Sequence, residues 1–547
     1  PFLTDYFKAR GLKVKDAEKR AQKVAGRMQA VRQENQDMFG LPEVDAEELK
    51  ADLAWHVRAW GRWVLADARK ELARFYPTYA EYCSVKPYQR IELDTDEPLK
   101  LVPVNDNGEP QIGLLNAGFD AAYLDNPANP RWVAKPTVAY LWARTVQCKA
   151  CRAELPLLKT RWLAKKDNKR VVLTMRPRAD KSGVEFGINS DVKPQGGNAA
   201  QRREYDKKIG AGTMSRAGST CPCCGTIMTL EDVRLEGRAG RMSARITSVA
   251  VEGLDGKEFR LPTSNEIQAA HLASQELEEV FKEIPFGLPV EPTPKGGIGA
   301  SRAFSVDGYG LDQWAKLFTH RQLVSIARLV LAIRRLRYQL GGDSAYTDAI
   351  QALLAIALDR TANYLSTICI WESKAQEVKQ TFLRYALPIT WDFAEGNPLA
   401  PNDRFFYGAL SNVALVVEGL TTQEFANLPS ATVLNQSAIR AVSEQDIVVT
   451  DPPYYDAIPY SDLMDFFYIW LRRTLFGLSP ELTSAFTQPL APKWSHEEKD
   501  GELIDDASRF GGSKEASKRN YEEGMARALA ALVVVRRHQR ETTKREW

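Results

Sequence analysis

The chain has 547 residues, 44% apolar and 26% charged, with 73 Lys/Arg against 70 Asp/Glu and a net charge of +3. That composition is ordinary for a globular protein with sizeable cores, and the near balance of charge requires any basic surface to be local. No run of 18 or more apolar residues occurs, and Pro1-Phe2-Leu3-Thr4-Asp5 lacks the basic start and apolar core of a signal peptide, so a cytoplasmic protein of two to four domains without membrane contact is expected.

Residues 1–85 read as helical. Lys13 to Asn35 is highly charged and punctuated by Ala, Val and Met, and Glu47 to Phe75 carries Ala, Leu, Trp and Arg at helical spacing. Trp55, Trp60 and Trp63 are expected in a core. Residues 86–135, with Pro103, Pro110, Pro127 and Pro130, read as loop. From 136 to 265 short strand-like runs alternate with turns, among them Thr137–Trp142, Arg170–Met175 and Val184–Ile188. Residues 266–290 return to helix, and Pro285 to Gly299 is a Pro/Gly linker. Gln322–Leu340 and Ala345–Tyr364 are the clearest helices of 311–385. Residues 400–470 look α/β. The polar, Gly/Ser/Lys-rich stretch 486–520 is expected to be a mobile loop. Tyr521–Val535 is a final helix–strand candidate, with Leu532–Val535 as the strand.

Seven cysteines, an odd number in a long chain without a signal, argue against a disulfide framework. Five fall in two short knuckles. Cys148-Lys149-Ala150-Cys151 is one C-x2-C, and Cys221-Pro222-Cys223-Cys224 supplies the other through Cys221 and Cys224. Two intervening residues let both thiolates turn onto one ion, and four thiolates close a tetrahedral shell of the structural type, so a Zn2+ held by Cys148, Cys151, Cys221 and Cys224 is expected. Cys223 could enter only through an adjacent Cys-Cys pair, which is poor geometry. The separation of the knuckles exceeds usual ribbon spacing, so an insertion that includes the charged segment Arg202–Lys208 must lie between them. The ribbon either contacts DNA or staples an insertion lacking its own core.

Asp451-Pro452-Pro453-Tyr454 follows the β-branched run Asp446–Thr450, which reads as a buried strand. A carboxylate, backbone that offers carbonyls without N–H groups, and an aromatic ring suit the capture of an exocyclic amine on a flat base. Asp451 accepts one N–H, the carbonyl of Pro452 another, and Tyr454 stacks on a base removed from its helix. The helix from Tyr460 to Arg473 is expected to bury Leu463, Phe467, Trp470 and Leu471. Asp456 and Asp462 are read as solvated surface.

The run Asp451-Pro-Pro-Tyr-Tyr-Asp-Ala-Ile-Pro-Tyr-Ser-Asp-Leu-Met-Asp-Phe-Phe-Tyr-Ile-Trp-Leu-Arg472 closely resembles the prokaryotic family of adenine-specific DNA methylases that contain a zinc ribbon. Four further segments share the likeness: Trp142–Glu154 around the first knuckle, Tyr309-Gly310 through Leu317–Leu323, Leu358-Asp359-Arg360, and Trp391-Asp392-Phe393-Ala-Glu395-Gly-Asn397-Pro398. The resemblance spans roughly residues 130–475. It implies an α/β, Rossmann-like methyltransferase fold, with a helical region and an inserted zinc ribbon. It also implies S-adenosylmethionine as cofactor, DNA as partner, and Asp451, Pro452, Pro453 and Tyr454 as catalytic residues. Partner subunits of a modification or defence system would also be in keeping with it.

No Gly-rich cofactor turn is found, and Gly296-Gly297-Ile298-Gly299, in a Pro-flanked linker without a preceding strand, is rejected as one. In the family that turn lies upstream of where this chain begins, so a fragment is expected, with cofactor-binding residues unassigned beyond the neighbourhood of Asp451 and Tyr454. The corresponding division is 1–85 helical, 86–265 insertion with zinc ribbon, 266–400 helical and 401–547 catalytic. The alternatives left open are an inactive zinc-ribbon nucleic-acid-binding or assembly fragment, an RNA amino-methyltransferase, and cytosine N4 rather than adenine N6 as target.

Overall fold

The computed structural model describes residues 53–543 apart from 94–97, 298, 343, 422–428, 430, 434–435, 441–448, 456–457 and 492. In chain order the elements are α1 (Leu53–Leu72), β1 (Tyr79–Val85), β2 (Tyr88–Arg90), β3 (Leu99–Leu101), β4 (Arg131–Lys135), β5 (Thr137–Gln147), β6 (Glu154–Leu157), β7 (Trp162–Lys166), β8 (Lys169–Pro177) and β9 (Val184–Asn189). They continue with α2 (Ala199–Ile209), β10 (Met214–Ser215), β11 (Gly218–Thr220), β12 (Ile227–Met228), α3 (Leu230–Arg238), β13 (Ser243–Gly253), β14 (Gly256–Arg260), α4 (Ser264–Lys282), α5 (His320–Gln339) and α6 (Ala345–Ala362). The last are β15 (Trp371–Glu372), β16 (Glu377–Val378), β17 (Asp392–Gly396), α7 (Phe406–Leu420), α8 (Tyr460–Leu475) and α9 (Lys514–Thr543).

The class is mixed α/β. The long strand β5 is the axis: β13 and β17 flank it, β14 extends β13, and β6 pairs with its C-terminal end. β7-β8-β9 forms a separate three-stranded sheet between the knuckles, and β10-β11-β12 a smaller one at the second knuckle. Every pairing of these strands is antiparallel, so the parallel sheet that the resemblance implies is not among the described residues.

One apolar core draws on α1, β5, α4, α5, α6, α7 and α8. α5 buries nearly its whole circumference, as expected of a central helix. α1 approaches α7 so closely at Gly61 that a Cβ there would meet the Leu410 side chain at 2.3 Å. The starts of α3, α4 and α5 are fixed by capping boxes, Thr229/Asp232, Thr263/Glu266 and Thr319/Gln322, which satisfy otherwise orphaned N–H groups.

The polar heart of this core is one carboxylate. Glu395 of β17 receives two hydrogen bonds from Arg321 of α5, both 2.8 Å, one from Thr319 at 3.1 Å and one from the Trp142 indole of β5 at 2.7 Å. Arg321 and Glu395 side chains are both fully buried. The guanidinium also lies over the Tyr140 ring at 3.9 Å and donates to the Phe75 carbonyl. A buried ion pair is tolerated only when its remaining donors and acceptors are met in this way. Three of the segments that carry the family likeness thus converge on Glu395. The fourth places Asp359 in α6, where burial pushes its carboxyl well above the usual carboxylate range.

Several expectations need correction. Residues 86–135 are not merely loop, since β2, β3 and β4 join β1 in a four-stranded sheet. The helical reading of 1–85 ends at Phe75, where β1 follows, and its first 52 residues lie outside the described ones. Trp55 is 44% exposed, whereas Trp60 and Trp63 pack on the core. Leu532–Val535 falls within the helix α9 rather than in a strand. In α8 the residues buried in the apolar core are Leu463, Phe466, Ile469 and Trp470, with Phe467 and Leu471 only half-buried, because Phe466 enters a ring cluster with Trp314, Phe318 and Phe382.

Candidate metal centre and Asp-Pro-Pro-Tyr site

The first knuckle sits at the end of β5 and the second follows β11. In each, the residue after the second cysteine takes a left-handed backbone, Arg152 at φ 62° and Gly225 at φ 77°. The same turn bonds recur: Arg152 N–H donates to the Cys148 carbonyl at 3.0 Å, and Gly225 N–H to the Cys221 carbonyl at 2.9 Å. Glycine adopts this conformation freely and arginine at a cost, so only the second knuckle signals its turn in sequence.

The four sulfurs of Cys148, Cys151, Cys221 and Cys224 all lie within 4.8 Å of one another. Cys148 to Cys224 and Cys151 to Cys221 are each 3.7 Å. A regular tetrahedron with zinc–sulfur bonds of about 2.3 Å has edges of about 3.8 Å, so the spacing fits one zinc ion. Cys148 and Cys221 are buried and Cys151 and Cys224 face solvent, so the shell is wet on one side. Cys223 stays out of it, and its thiol donates to the Gly183 carbonyl at 3.3 Å. Burial pushes the Cys221 thiol up to about 12, while the Thr226 hydroxyl brings Cys224 down to about 6. Ion binding requires all four as thiolates and would displace the protons still held. The insertion between the knuckles is seen directly as the β7-β8-β9 sheet with α2. Its β8–β9 tip returns to the site, where the Ser182 carbonyl accepts from Glu154 N–H at 2.8 Å.

Asp451-Pro452-Pro453-Tyr454 lies about seven residues before α8. Residues 446–448 of the expected strand lie outside the described ones, and Val449 and Thr450 are irregular, with Val449 90% exposed rather than buried. Asp451 and Tyr454 are exposed, Tyr454 at 66%, and the Tyr454 hydroxyl donates to Asp451 Oδ1 at 2.8 Å. That bond also holds the Tyr454 hydroxyl above its ordinary pKa.

Sequence reading missed the partner of this motif, which comes from α9. The Tyr521 hydroxyl donates to the Pro453 carbonyl, its ring lies 4.4 Å from that of Tyr455, and Tyr455 in turn reaches Glu522 at 3.3 Å. Tyr455 takes a left-handed φ of 46°. No local spacing links positions 453 and 521, so the sequence held no signal for the contact.

The stretch expected to be a mobile loop is tied down instead. Glu502 accepts from the Ser461 N–H at 2.8 Å, Arg509 pairs with Asp462 and Glu502, both at 2.8 Å, and Lys493 pairs with Asp465 at 2.6 Å. Asp462 is therefore a half-buried ion-pair partner rather than solvated surface, and Asp456 lies outside the described residues. Burial works against the charge of Arg509, but Asp462 and Glu502 outweigh it and hold the guanidinium above its usual range. Burial outweighs Lys493 at Asp465 and pushes that carboxyl up to about 6.

No family model, curated protein or solved structure matches this chain. The likeness to zinc-ribbon DNA methylases therefore rests on the quoted residues alone. Among the described residues no helix is long and apolar enough to cross a membrane.

Proposed function

We propose that the chain carries the base-binding part of a DNA amino-methyltransferase acting on an exocyclic amine, with adenine N6 as the target. The observation that supports this reading is the environment of the motif carbonyl. A flat ring, Tyr521, lies against Tyr455 at 4.4 Å, tilted by 33°, while its hydroxyl donates to the Pro453 carbonyl. A base amine captured by the motif needs interactions of the same kind, a ring contact and donation to a backbone carbonyl, here at the neighbouring Pro452. In the proposed complex Asp451 accepts one amine N–H, the Pro452 carbonyl accepts the other, and Tyr454 stacks on the flipped base, worth about 1–3 kcal/mol. These bonds orient the amine and localise its lone pair.

S-adenosylmethionine would supply the methyl group. The described residues do not fit it: Gly296 and Gly297 pack against Phe304, Ser301 and Ser508 instead of following a strand, and the Asp451 carboxylate and Pro453 carbonyl already hold side-chain partners. The Rossmann-like half of the fold belongs to the same proposal. The same misfit favours a second reading, a zinc-containing nucleic-acid-binding or assembly module that is inactive alone. Transfer of labelled methyl groups to DNA, and equally to RNA, tests the first reading. Asp451→Ala should lower DNA methylation by about a hundredfold or more. Unchanged activity, or methylation confined to RNA, overturns it, and absence of S-adenosylmethionine binding in titration calorimetry decides for the second.

A further inference from the structure

Charge is concentrated between the knuckles. Residues 152–220 hold sixteen Lys/Arg and seven Asp/Glu, a net +9 in a chain whose total is +3, so the remainder sums to −6. The few acids in this segment are partly spent: Asp206 is shared by Lys165 and Arg170, and Glu154 pairs with Arg245. Helix α2 has no buried residue, and it attaches through Asp206 and a hydrogen bond from the Trp162 indole to the Asp206 carbonyl at 3.1 Å. Its one apolar anchor is Ile209, half-buried against Trp162, Val172 and Val192, which leaves the basic residues Arg203, Lys207 and Lys208 at the surface.

We propose that this inter-knuckle unit is a duplex-DNA-binding surface that grips the phosphate backbone. Its two contact groups are Arg152, Arg176 and Lys181 beside the metal centre, and Arg203, Lys207 and Lys208 on α2; all six are exposed. The groups lie toward opposite ends of β8. Nine strand residues at about 3.3 Å each span about 30 Å, close to the roughly 34 Å of one turn of B-DNA. The zinc site fixes the first group because the β8–β9 tip hydrogen-bonds to the Cys223 thiol of the second knuckle and to the Glu154 N–H three residues beyond the first. The choice of DNA over other polyanions rests on the functional reading above, whereas the basic surface does not.

The test is fluorescence anisotropy of the full zinc-loaded chain with a duplex of about 20 base pairs, across roughly 50–200 mM salt. Replacing all six residues by Gln should weaken binding at least about thirtyfold and reduce the salt slope by about 3 or more, since each lost phosphate contact removes about 0.9. A control with Lys86, Lys282, Lys316 and Lys374 replaced by Gln should stay within about threefold of wild type. Zinc content and circular dichroism establish that both variants are folded. The inference is overturned if the six-residue variant binds like wild type, if the control loses as much, or if duplex RNA of the same sequence outcompetes DNA. Methylation with unaltered binding by the six-residue variant defeats only this inference, and zinc-dependent DNA binding without any methylation defeats only the functional reading.

Discussion

The two candidate sites are built in opposite ways. The cysteine cluster is closed and local: each knuckle supplies two thiols across one turn, and sulfurs 3.7 Å apart leave room for an ion and little else. The Asp-Pro-Pro-Tyr segment is open and borrowed. Its four residues lie in irregular backbone, its aspartate bonds to its own tyrosine, and its carbonyl is held by a residue 68 positions away. Spacing therefore decides what the first can do, whereas the second depends on what the fold brings to it.

The largest effect that would break this contrast is loss of the metal. Structural zinc contributes apparent binding energies of about 10–16 kcal/mol in small domains. A chelator, or Cys221→Ser, should unfold the two knuckles with the small β10-β11-β12 sheet and leave the helical core cooperative, while Cys223→Ser retains one zinc per chain by elemental analysis. Zinc retained by Cys221→Ser, or lost by Cys223→Ser, would show that the cluster is not the closed shell its geometry describes.

Next in size is the buried carboxylate. Glu395→Ala strands Arg321 in a fully buried position, and breaking such a pair costs about 3–5 kcal/mol. The thermal transition of the whole helical core should fall, with zinc content unchanged. A shift of only a degree or two would mean that solvent reaches Arg321.

The share of all this that could be read in advance follows from the same contrast. The ligand set, the strands at 137, 170 and 184, and the helices at 322 and 345 were legible because each is specified within a few residues. Apolar periodicity identified α8 and placed Leu463 and Trp470 correctly but missed part of the buried face, since Phe466 is drawn inward by rings from two distant segments, 314–318 and 382. The run Leu532–Val535 is β-branched, yet it lies in a helix that begins at Lys514, so local propensity yielded to its flanks. The pinning of 486–520 was invisible because its partners, Ser461, Asp462 and Asp465, lie on a helix earlier in the chain.

A pH profile sharpens the picture around that pinned segment. Asp465 has a folded pKa of about 6, against an ordinary value of 3.8. The folded state then binds more protons than the unfolded state between these values, so stability falls as pH rises from about 4 to 6 and levels off above. The full effect is about 3 kcal/mol by linkage. Asp465→Asn should flatten that part of the curve of melting temperature against pH. An unchanged slope would assign the dependence to another buried acid such as Asp359, whose Asn variant then becomes the test.

The smallest effect falls on the open site. Tyr521→Phe removes one hydrogen bond, about 1 kcal/mol, and should barely move the melting temperature. If the Pro453 carbonyl belongs to a base-capturing surface, freeing it should strengthen the capture of an extrahelical adenine. The readout is the fluorescence of 2-aminopurine opposite an abasic site, with Asp451→Ala as the variant that abolishes the signal. The opposite outcome, weaker capture, would make Tyr521 a support that aims the motif, and α9 a part of the site. Either result turns on one hydroxyl whose partner is reached only through the tertiary fold, which is the feature that separates this site from the knuckles.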